Sequence, residues 1–233
     1  MGLVDEFNKN EEVKVFLSII FALCINLNAQ VECKTIAEIK ALEKGTECQY
    51  VGTATTTYYY GDFGVMMQDE TGAILLYNSN LGAKKAGSHE KIKVTTNMQI
   101  TDVWGKFQTE GGSLLDRIVL TNDDAEWIEV KNTNATFTPE VVDFDEYMTK
   151  LDEYKGVAVT FNEINIRSVG ETLNGEFYSL TTGATLSVPF DARIGNLPVK
   201  ASVNGFLGRD GNGRNIFMIG SHDDITPLSF NSI

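Results

Sequence analysis

A pattern that occurs twice constrains the fold of this chain more than any other feature of the sequence: a short helical segment and a glycine precede several short strand-like runs. In the first copy Ile36, Ile39 and Leu42 fall at helical spacing, Thr35 is placed to cap the helix, and Gly45 ends it. The spacing predicts a helix that runs to about Lys44. A helix this short needs neighbouring elements to bury its apolar side.

The second copy begins with a helical stretch over residues 144–151, and Gly156 again follows it. Four apolar residues there recur at i, i+3, i+4 and i+7, namely Phe144, Tyr147, Met148 and Leu151. Corresponding positions of the two copies are about 107 residues apart, which is the size of a small domain. A domain-sized repeat is the simplest explanation.

Each copy continues with short strand-like runs that glycines separate. The runs of the first copy are 48–55, 63–69, 73–77, 91–96 and 117–120, and those of the second are 157–166, 176–181, 184–189, 200–208 and 215–220. Such runs favour a closed Greek-key barrel, which has no open edge, and the alternative is a β-sandwich, for which each copy has few strands. The predicted fold class is all-β with short helices, in two tandem five-stranded barrels. Their predicted bounds are 30–130 and 139–230, with the polar stretch 131–138 between them.

The first 29 residues are typical of a secretory signal peptide. An apolar run of about 11 residues from Val15 to Ile25 is too short to span a bilayer, and Ala29 supplies a small residue for cleavage. The alternative is a buried core helix. Acidic residues before the run are unusual for a signal, which leaves open whether translation starts at Met1 or at Val13. The expectation is a periplasmic or secreted protein without a transmembrane span.

The cysteines indicate what kind of exported product to expect. Cys24 is preceded by Leu23 rather than by a small residue, so a lipoprotein is the less expected product. Cys33 and Cys48 remain after cleavage. In an oxidising compartment they could form a disulfide that spans the first helix, and the alternative is two unpaired thiols.

The strands that follow the first helix carry a recognisable motif. Val51-Gly52-Thr53 comes before a hairpin over residues 63–74, in which Gln68 and Asp69 precede Thr71-Gly72. This stretch resembles the start of exported OB-fold domains of Gram-negative bacteria, which have a short helix, a V-x-G strand and an F-x-x-Q-D-x-T-G-x-I hairpin. The resemblance covers about 100 residues, and the second copy lacks the Gln-Asp pair. It implies two OB-fold-like domains, in a family usually described as nucleic-acid-binding by fold analogy.

Aromatic residues near the predicted barrel loops are the candidate ligand-binding residues, because OB-folds bind ligands through such loops and stack bases on aromatic rings. They are Tyr58, Tyr59, Tyr60, Phe63, Trp104 and Phe107. The alternative is that these rings pack the hairpin and anchor loops. A net charge of −13, or about −11 without residues 1–29, disfavours a phosphate ligand. The nearest basic patch is small and consists of Lys84, Lys85, Lys91 and Lys93.

Catalytic and metal-binding motifs are not predicted. His89 and His222 stand in turn-like segments without a nearby nucleophile, and the stretch 210–215 lacks the alternating ligands of a calcium loop. We therefore expect neither an enzyme nor a cofactor or metal site. The predicted function is an exported, non-catalytic OB-fold binding module whose ligand is a glycan, a peptide or a protein partner. The alternatives are a single-stranded nucleic-acid-binding protein and a structural interaction protein of the envelope.

Overall fold

The structure is a computed structural model that describes residues 30–61, 64–77, 94–120, 128–169, 174–189 and 199–229. The predicted signal peptide lies outside these residues. The first half of the described chain contains β1 (Val31–Cys33), α1 (Ile36–Lys40), β2 (Glu47–Tyr50), β3 (Ala54–Tyr60), β4 (Gly64–Asp69), β5 (Gly72–Tyr77), β6 (Gln99–Thr101), β7 (Val103–Gln108), β8 (Arg117–Val119) and β9 (Glu129–Asn132). The second half contains β10 (Glu140–Val141), α2 (Phe144–Thr149), β11 (Ala158–Ser168), β12 (Asn174–Tyr178), β13 (Thr185–Pro189), β14 (Lys200–Arg209), β15 (Asn215–Met218), a 3₁₀ helix (His222–Asp224) and β16 (Ile225–Ser229).

The first sheet closes into a five-stranded barrel. Its pairing runs from β3 through β4, β5, β8 and β7 to β2, with β5 and β8 parallel and the other neighbours antiparallel. Since β2 and β3 are successive parts of one bent strand, the two ends of this order meet. Strands β6 and β7 form a second bent strand, broken at Asp102, whose φ of 52° lies in the left-handed region that Asp tolerates. The order is that of an OB-fold.

The second sheet has the same architecture in the order β13-β12-β11-β14-β15. The barrel closes because β13 lies beside β15. Two short strands extend it: β10 pairs in parallel with β11, and β16 pairs with β14. The predicted fold class, two tandem OB-fold-like barrels with short helices, is confirmed.

Local signals in the sequence explain the ends of both helices. Thr35 and Glu38 form the predicted capping box of α1, and the Asp143 side chain accepts the backbone N–H groups of Asp145 and Glu146 at the start of α2. The helix α1 ends at Lys40, one turn before the predicted end.

The Asp69 side chain explains why the hairpin motif follows the first helix. Its Oδ1 accepts the backbone N–H of Thr71 at 2.7 Å within the turn, and its Oδ2 accepts the backbone N–H of Ile36 at 2.9 Å and the Tyr50 hydroxyl at 3.1 Å. One carboxylate therefore joins the β4–β5 turn to α1 and β2. In this chain Asp69 of the Gln-Asp pair stabilises the barrel.

The fourth strand of the first copy differs from its prediction. Of the predicted stretch 91–96, the described residues 94–96 are not in a strand, and the strand begins at Gln99. The preceding turn contains Asn97 with a φ of 63°, and the carbonyl groups of Thr95 and Met98 accept the Thr56 hydroxyl. These contacts hold the segment in a turn.

Two apolar clusters form the core, and one of them joins the two barrels. The first fills the first barrel and includes Val65, Met67, Ile74 and Leu76. The second fills the second barrel but also includes residues of β3, β4, β5 and the β7–β8 loop, namely Tyr58, Tyr60, Met66, Ala73, Leu75 and Leu115. Both faces of β4 and β5 are thus buried, and the described chain from Glu32 onward is one compact unit.

The predicted joint, the polar stretch 131–138, lies within the described residues. The strand β9 pairs with β6 of the first barrel and β10 pairs with β11 of the second, so the stretch 131–138 lies between strands that belong to different barrels. The exact domain bounds stay a prediction.

Cys33 and Cys48 are buried, free thiols. No helix in the described ranges is long and apolar enough to cross a membrane.

Candidate ligand-binding face

Two of the predicted ligand-binding tyrosines lie between the barrels. Tyr58 is 7% exposed, and its ring stacks on Phe206 of β14 with 5.3 Å between centroids. Tyr60 is 3% exposed; its hydroxyl donates to the carbonyl of Ser113 at 2.9 Å and accepts the backbone N–H of Arg209 at 2.9 Å. The expectation that these rings face a ligand does not match their burial, since they pack one barrel on the other.

The remaining candidates are spread over the first barrel. Phe107 is 1% exposed inside its core, where the inward alternation of β7 places it, and so it also lacks a free ring face. Trp104 is partly exposed on the opposite face of the same strand, and Tyr59 is 37% exposed on β3. Phe63 lies outside the described residues. The structure therefore does not bring the six candidates together, and a ligand role for Tyr59 and Trp104 stays a prediction.

The contact between the barrels covers the outer face of β4 and β5 together with the β7–β8 loop. In an OB-fold, the corresponding strands and loop form the usual binding surface. Gln68 of β4 accepts the backbone N–H of Ala158 at 2.8 Å. Glu110 of the β7–β8 loop pairs with Lys155 at 2.9 Å and with Arg209 at 3.4 Å. Gly156 lies so close to Met66 that an added Cβ would collide with the Met66 Cε atom. Here this surface holds the second barrel in place of a ligand.

The corresponding face of the second barrel has exposed and half-buried polar side chains. It consists of the outward side chains of β11, β12 and β13, and we call it the open face: Asn165, Arg167, Glu176, Tyr178, Thr185 and Ser187. Arg167 and Glu176 are direct cross-strand neighbours, and the Arg167 Nε atom donates to a Glu176 carboxylate oxygen at 2.8 Å. The Arg167 guanidinium also lies over the Tyr178 ring, 5.0 Å from its centroid. This contact is a cation–π interaction that holds the ring at the surface.

Strand alternation explains why this face is polar. Phe177, Leu186 and Val188 point into the barrel and are almost fully buried. The residues that alternate with them along β12 and β13 therefore point outward. At the end of the same hairpin Leu180 is 77% exposed. A partly exposed tyrosine, an exposed leucine at the rim and several hydrogen-bonding groups make a surface that can bind a chain-like ligand.

This face is not among the sites predicted from the sequence. The alternation of apolar and polar residues in 176–188 is visible in the sequence and indicates one exposed side. The pairing of Arg167 with Glu176 and Tyr178 is not visible, because it depends on the register between β11 and β12.

Most of the basic side chains that the structure describes form ion pairs with acidic side chains. The pairs are Lys106–Glu47, Lys150–Glu146, Lys155–Glu110, Lys155–Asp152, Arg167–Glu176, Lys200–Glu163, Arg209–Glu110 and Arg214–Asp210. Two of them, those of Arg167 and Lys200, involve adjacent strands of the second barrel. The predicted patch of Lys84, Lys85, Lys91 and Lys93 lies outside the described residues. Within the described ranges, the open face carries no excess positive charge.

The other predicted sites have structural explanations. The stretch 210–214 is a hairpin turn in which the Asp210 carboxylate accepts the backbone N–H groups of Asn212 and Arg214, both at 2.9 Å. The hydrogen bond from the Arg214 backbone is the main cause that lowers the pKa of Asp210. No group of three or more metal-ligating side chains occurs in the described part of the chain. His89 lies outside it, and His222 begins the 3₁₀ helix. That the protein is not an enzyme stays a prediction.

Comparison with known proteins gives weak likenesses only. No protein-family model matches the chain, and no curated protein matches it. A murine DNA-binding protein bound to double-stranded DNA is similar at 12% identity and a TM-score of 0.33, over 76% of this chain and 92% of the other. The p202 HIN1 domain in complex with a 12-mer of double-stranded DNA is similar at 15% identity and a TM-score of 0.31, over 78% and 95%. Such TM-scores are too low to transfer a fold or a ligand, and membership of the exported bacterial family stays a prediction.

Proposed function

We propose that this chain is a non-catalytic binding protein whose ligand lies on the open face of the second barrel. The contrast between the two barrels supports this proposal most directly. The first barrel uses its outer face to hold the second, whereas the matching face of the second keeps polar side chains and Tyr178 at the surface.

We favour an uncharged polymer as the ligand, which means a glycan or an extended peptide segment. Arg167 is already paired with Glu176, and Lys200 with Glu163, so the binding of a polyanion would have to break these pairs. The whole chain carries −13, which repels phosphates at long range. Side chains such as Asn165, Thr185 and Ser187 can instead form hydrogen bonds with hydroxyl or amide groups.

Single-stranded nucleic acid is the second candidate, and the Arg167–Tyr178 contact is the observation that favours it. Aromatic rings and arginine planes on an OB-fold are surfaces on which unpaired bases stack. DNA is also the ligand in two of the similar structures, but those likenesses do not bear on the ligand of this chain.

The test is to measure binding of the purified chain to arrays of glycans, peptides and single-stranded oligonucleotides, followed by the variants Tyr178→Ala and Tyr59→Ala. Tyr59, an exposed strand tyrosine of the first barrel, is the comparison variant, because its removal tests the competing prediction that the first barrel binds the ligand. We expect Tyr178→Ala to weaken binding by about 1 to 3 kcal/mol, the range for stacking on an aromatic ring, and Tyr59→Ala to leave it unchanged. Binding should depend weakly on salt.

Two outcomes would change the proposal. A steep loss of affinity with salt, together with selection of oligonucleotides, would establish the second candidate, because phosphate contacts release counterions. An equal affinity of the wild type and Tyr178→Ala for every bound ligand would exclude the open face as the site. It would also favour the remaining alternative, a structural interaction protein.

Export is a separate part of the proposal and rests on the sequence of residues 1–29 alone. N-terminal sequencing of protein recovered from the bacterial envelope or medium should begin at Gln30. Recovery of the protein in the cytoplasm with Met1 in place would contradict it.

A further inference from the structure

A second surface feature is independent of the open face. A cavity of about 460 Å³ opens where α1, the β7–β8 loop and the turn after α2 meet, so both barrels contribute to it. Its lining includes the charged residues Lys40, Glu110, Asp116, Asp152 and Lys155 and the apolar residue Leu115. A volume of this size fits a small molecule.

The charges in the cavity are not all paired. Lys155 is paired twice, with Asp152 at 2.7 Å and with Glu110 at 2.9 Å. Lys40, by contrast, makes no hydrogen bond or ion pair with any residue that the structure describes. Its Nζ atom lies 3.8 Å from the position that a Cβ of Gly72 would take, over the β4–β5 turn. Burial lowers the pKa of Lys40; Asp116 opposes this change and Lys155 adds to it.

Asp116 is the complementary group. Its Oδ1 accepts the backbone N–H of Glu110 at 2.8 Å, and its Oδ2 has no hydrogen bond with any described residue. Asp116 raises the pKa of Lys40, but the two groups do not form an ion pair. Among the described residues, the Lys40 ammonium group and one Asp116 carboxylate oxygen therefore have no partner, and they lie beside the apolar side chains of Ala73 and Leu115.

We propose that this cavity binds a small zwitterion, a free amino acid with an apolar side chain. Its carboxylate accepts hydrogen bonds from Lys40, its ammonium group donates to Asp116, and its side chain lies against Leu115. A simple anion would leave Asp116 unpaired and would face three carboxylates, whereas a simple cation would leave Lys40 unpaired. A zwitterion satisfies both groups, and charge-assisted hydrogen bonds of this kind are strong.

The experiment measures binding of the twenty free amino acids at millimolar concentration to the full chain by ligand-observed NMR. The best binder is then compared with two analogues, one that lacks its amino group and one that lacks its carboxylate. The variants are Lys40→Gln and Asp116→Asn, with Lys44→Gln as the control, because Lys44 is an exposed lysine outside the cavity lining. Asn at position 116 retains an oxygen that can accept the Glu110 N–H, and the thermal unfolding of each variant shows whether it is folded.

We expect at least one apolar amino acid to bind, each analogue to bind about ten-fold more weakly or not at all, and Lys40→Gln and Asp116→Asn each to reduce affinity by about ten-fold. Lys44→Gln should bind like the wild type. The proposal is overturned if no amino acid binds, if an analogue binds as well as its parent, or if folded Lys40→Gln and Asp116→Asn retain full affinity. Because Tyr178 does not line the cavity, Tyr178→Ala should bind the amino acid normally whether or not the open face has a ligand.

Discussion

At the scale of single residues, two adjacent tyrosines show that the position of a side chain in the fold decides its role. Tyr59 and Tyr60 are neighbours in the sequence, and both were candidates for ligand stacking. The alternation of β3 leaves Tyr59 exposed, whereas Tyr60 is buried, with one hydrogen bond to Ser113 of its own barrel and one from Arg209 of the second barrel. Composition and proximity to a predicted loop therefore could not separate a surface ring from a packing ring.

Cys48 provides a prediction at the same scale. Burial raises the pKa of its thiol from 9.0 to about 11; the charge of Cys33 adds to this, and a backbone hydrogen bond with Phe107 opposes it. Because the folded protein holds the thiol proton more tightly than the unfolded chain, this contribution to stability is complete below about pH 9 and is lost as the pH rises through about 11. It amounts to roughly 2 kcal/mol. Melting temperatures between about pH 8 and pH 11 should fall more steeply for the wild type than for Cys48→Ala. Parallel curves would contradict the prediction.

Secondary structure elements were predicted well where a periodic pattern existed. Both helices, their caps and the β4–β5 and β12–β13 hairpins follow from local sequence. The burial of both faces of β4 and β5 also has a sequence signal, since residues 65–67 and 73–76 are continuous apolar runs without alternation. What covers the outer face could not be predicted, because the contacts between barrels join residues far apart in the sequence, such as Gln68 and Ala158, which are 90 positions apart.

The outer face of β4 leads to a prediction about the stability of the protein. Met66→Ala removes a fully buried side chain from the contact and should reduce the free energy of unfolding by about 2 to 5 kcal/mol. Thr185→Ala, on the open face of β13, should change it by less than about 0.5 kcal/mol. Urea unfolding of the two variants measures both values. A small effect at Met66, similar to that at Thr185, would mean that the outer face of β4 is not buried in solution.

For the whole molecule, the packing of the first barrel on the second determines which surface remains for a ligand. The repeat in the sequence correctly predicted two barrels but suggested two equivalent units. The structure shows that they are not equivalent, because the outer face of one is part of the shared core. Proteolysis of the polar stretch 131–138 could therefore cut the chain without releasing two independently stable fragments.

The variant Phe206→Ala tests the claim that the two barrels are coupled and unfold together. Phe206 belongs to the second barrel and stacks on Tyr58 of the first, whereas both tryptophans, Trp104 and Trp127, belong to the first half of the sequence. Removal of the Phe206 ring should reduce the free energy of unfolding by about 3 to 5 kcal/mol. In urea, the tryptophan fluorescence transition of Phe206→Ala should shift to lower denaturant together with the far-UV circular dichroism transition. A fluorescence transition that stays at its wild-type midpoint while the circular dichroism signal is lost earlier would show that the barrels unfold independently and would contradict the claim.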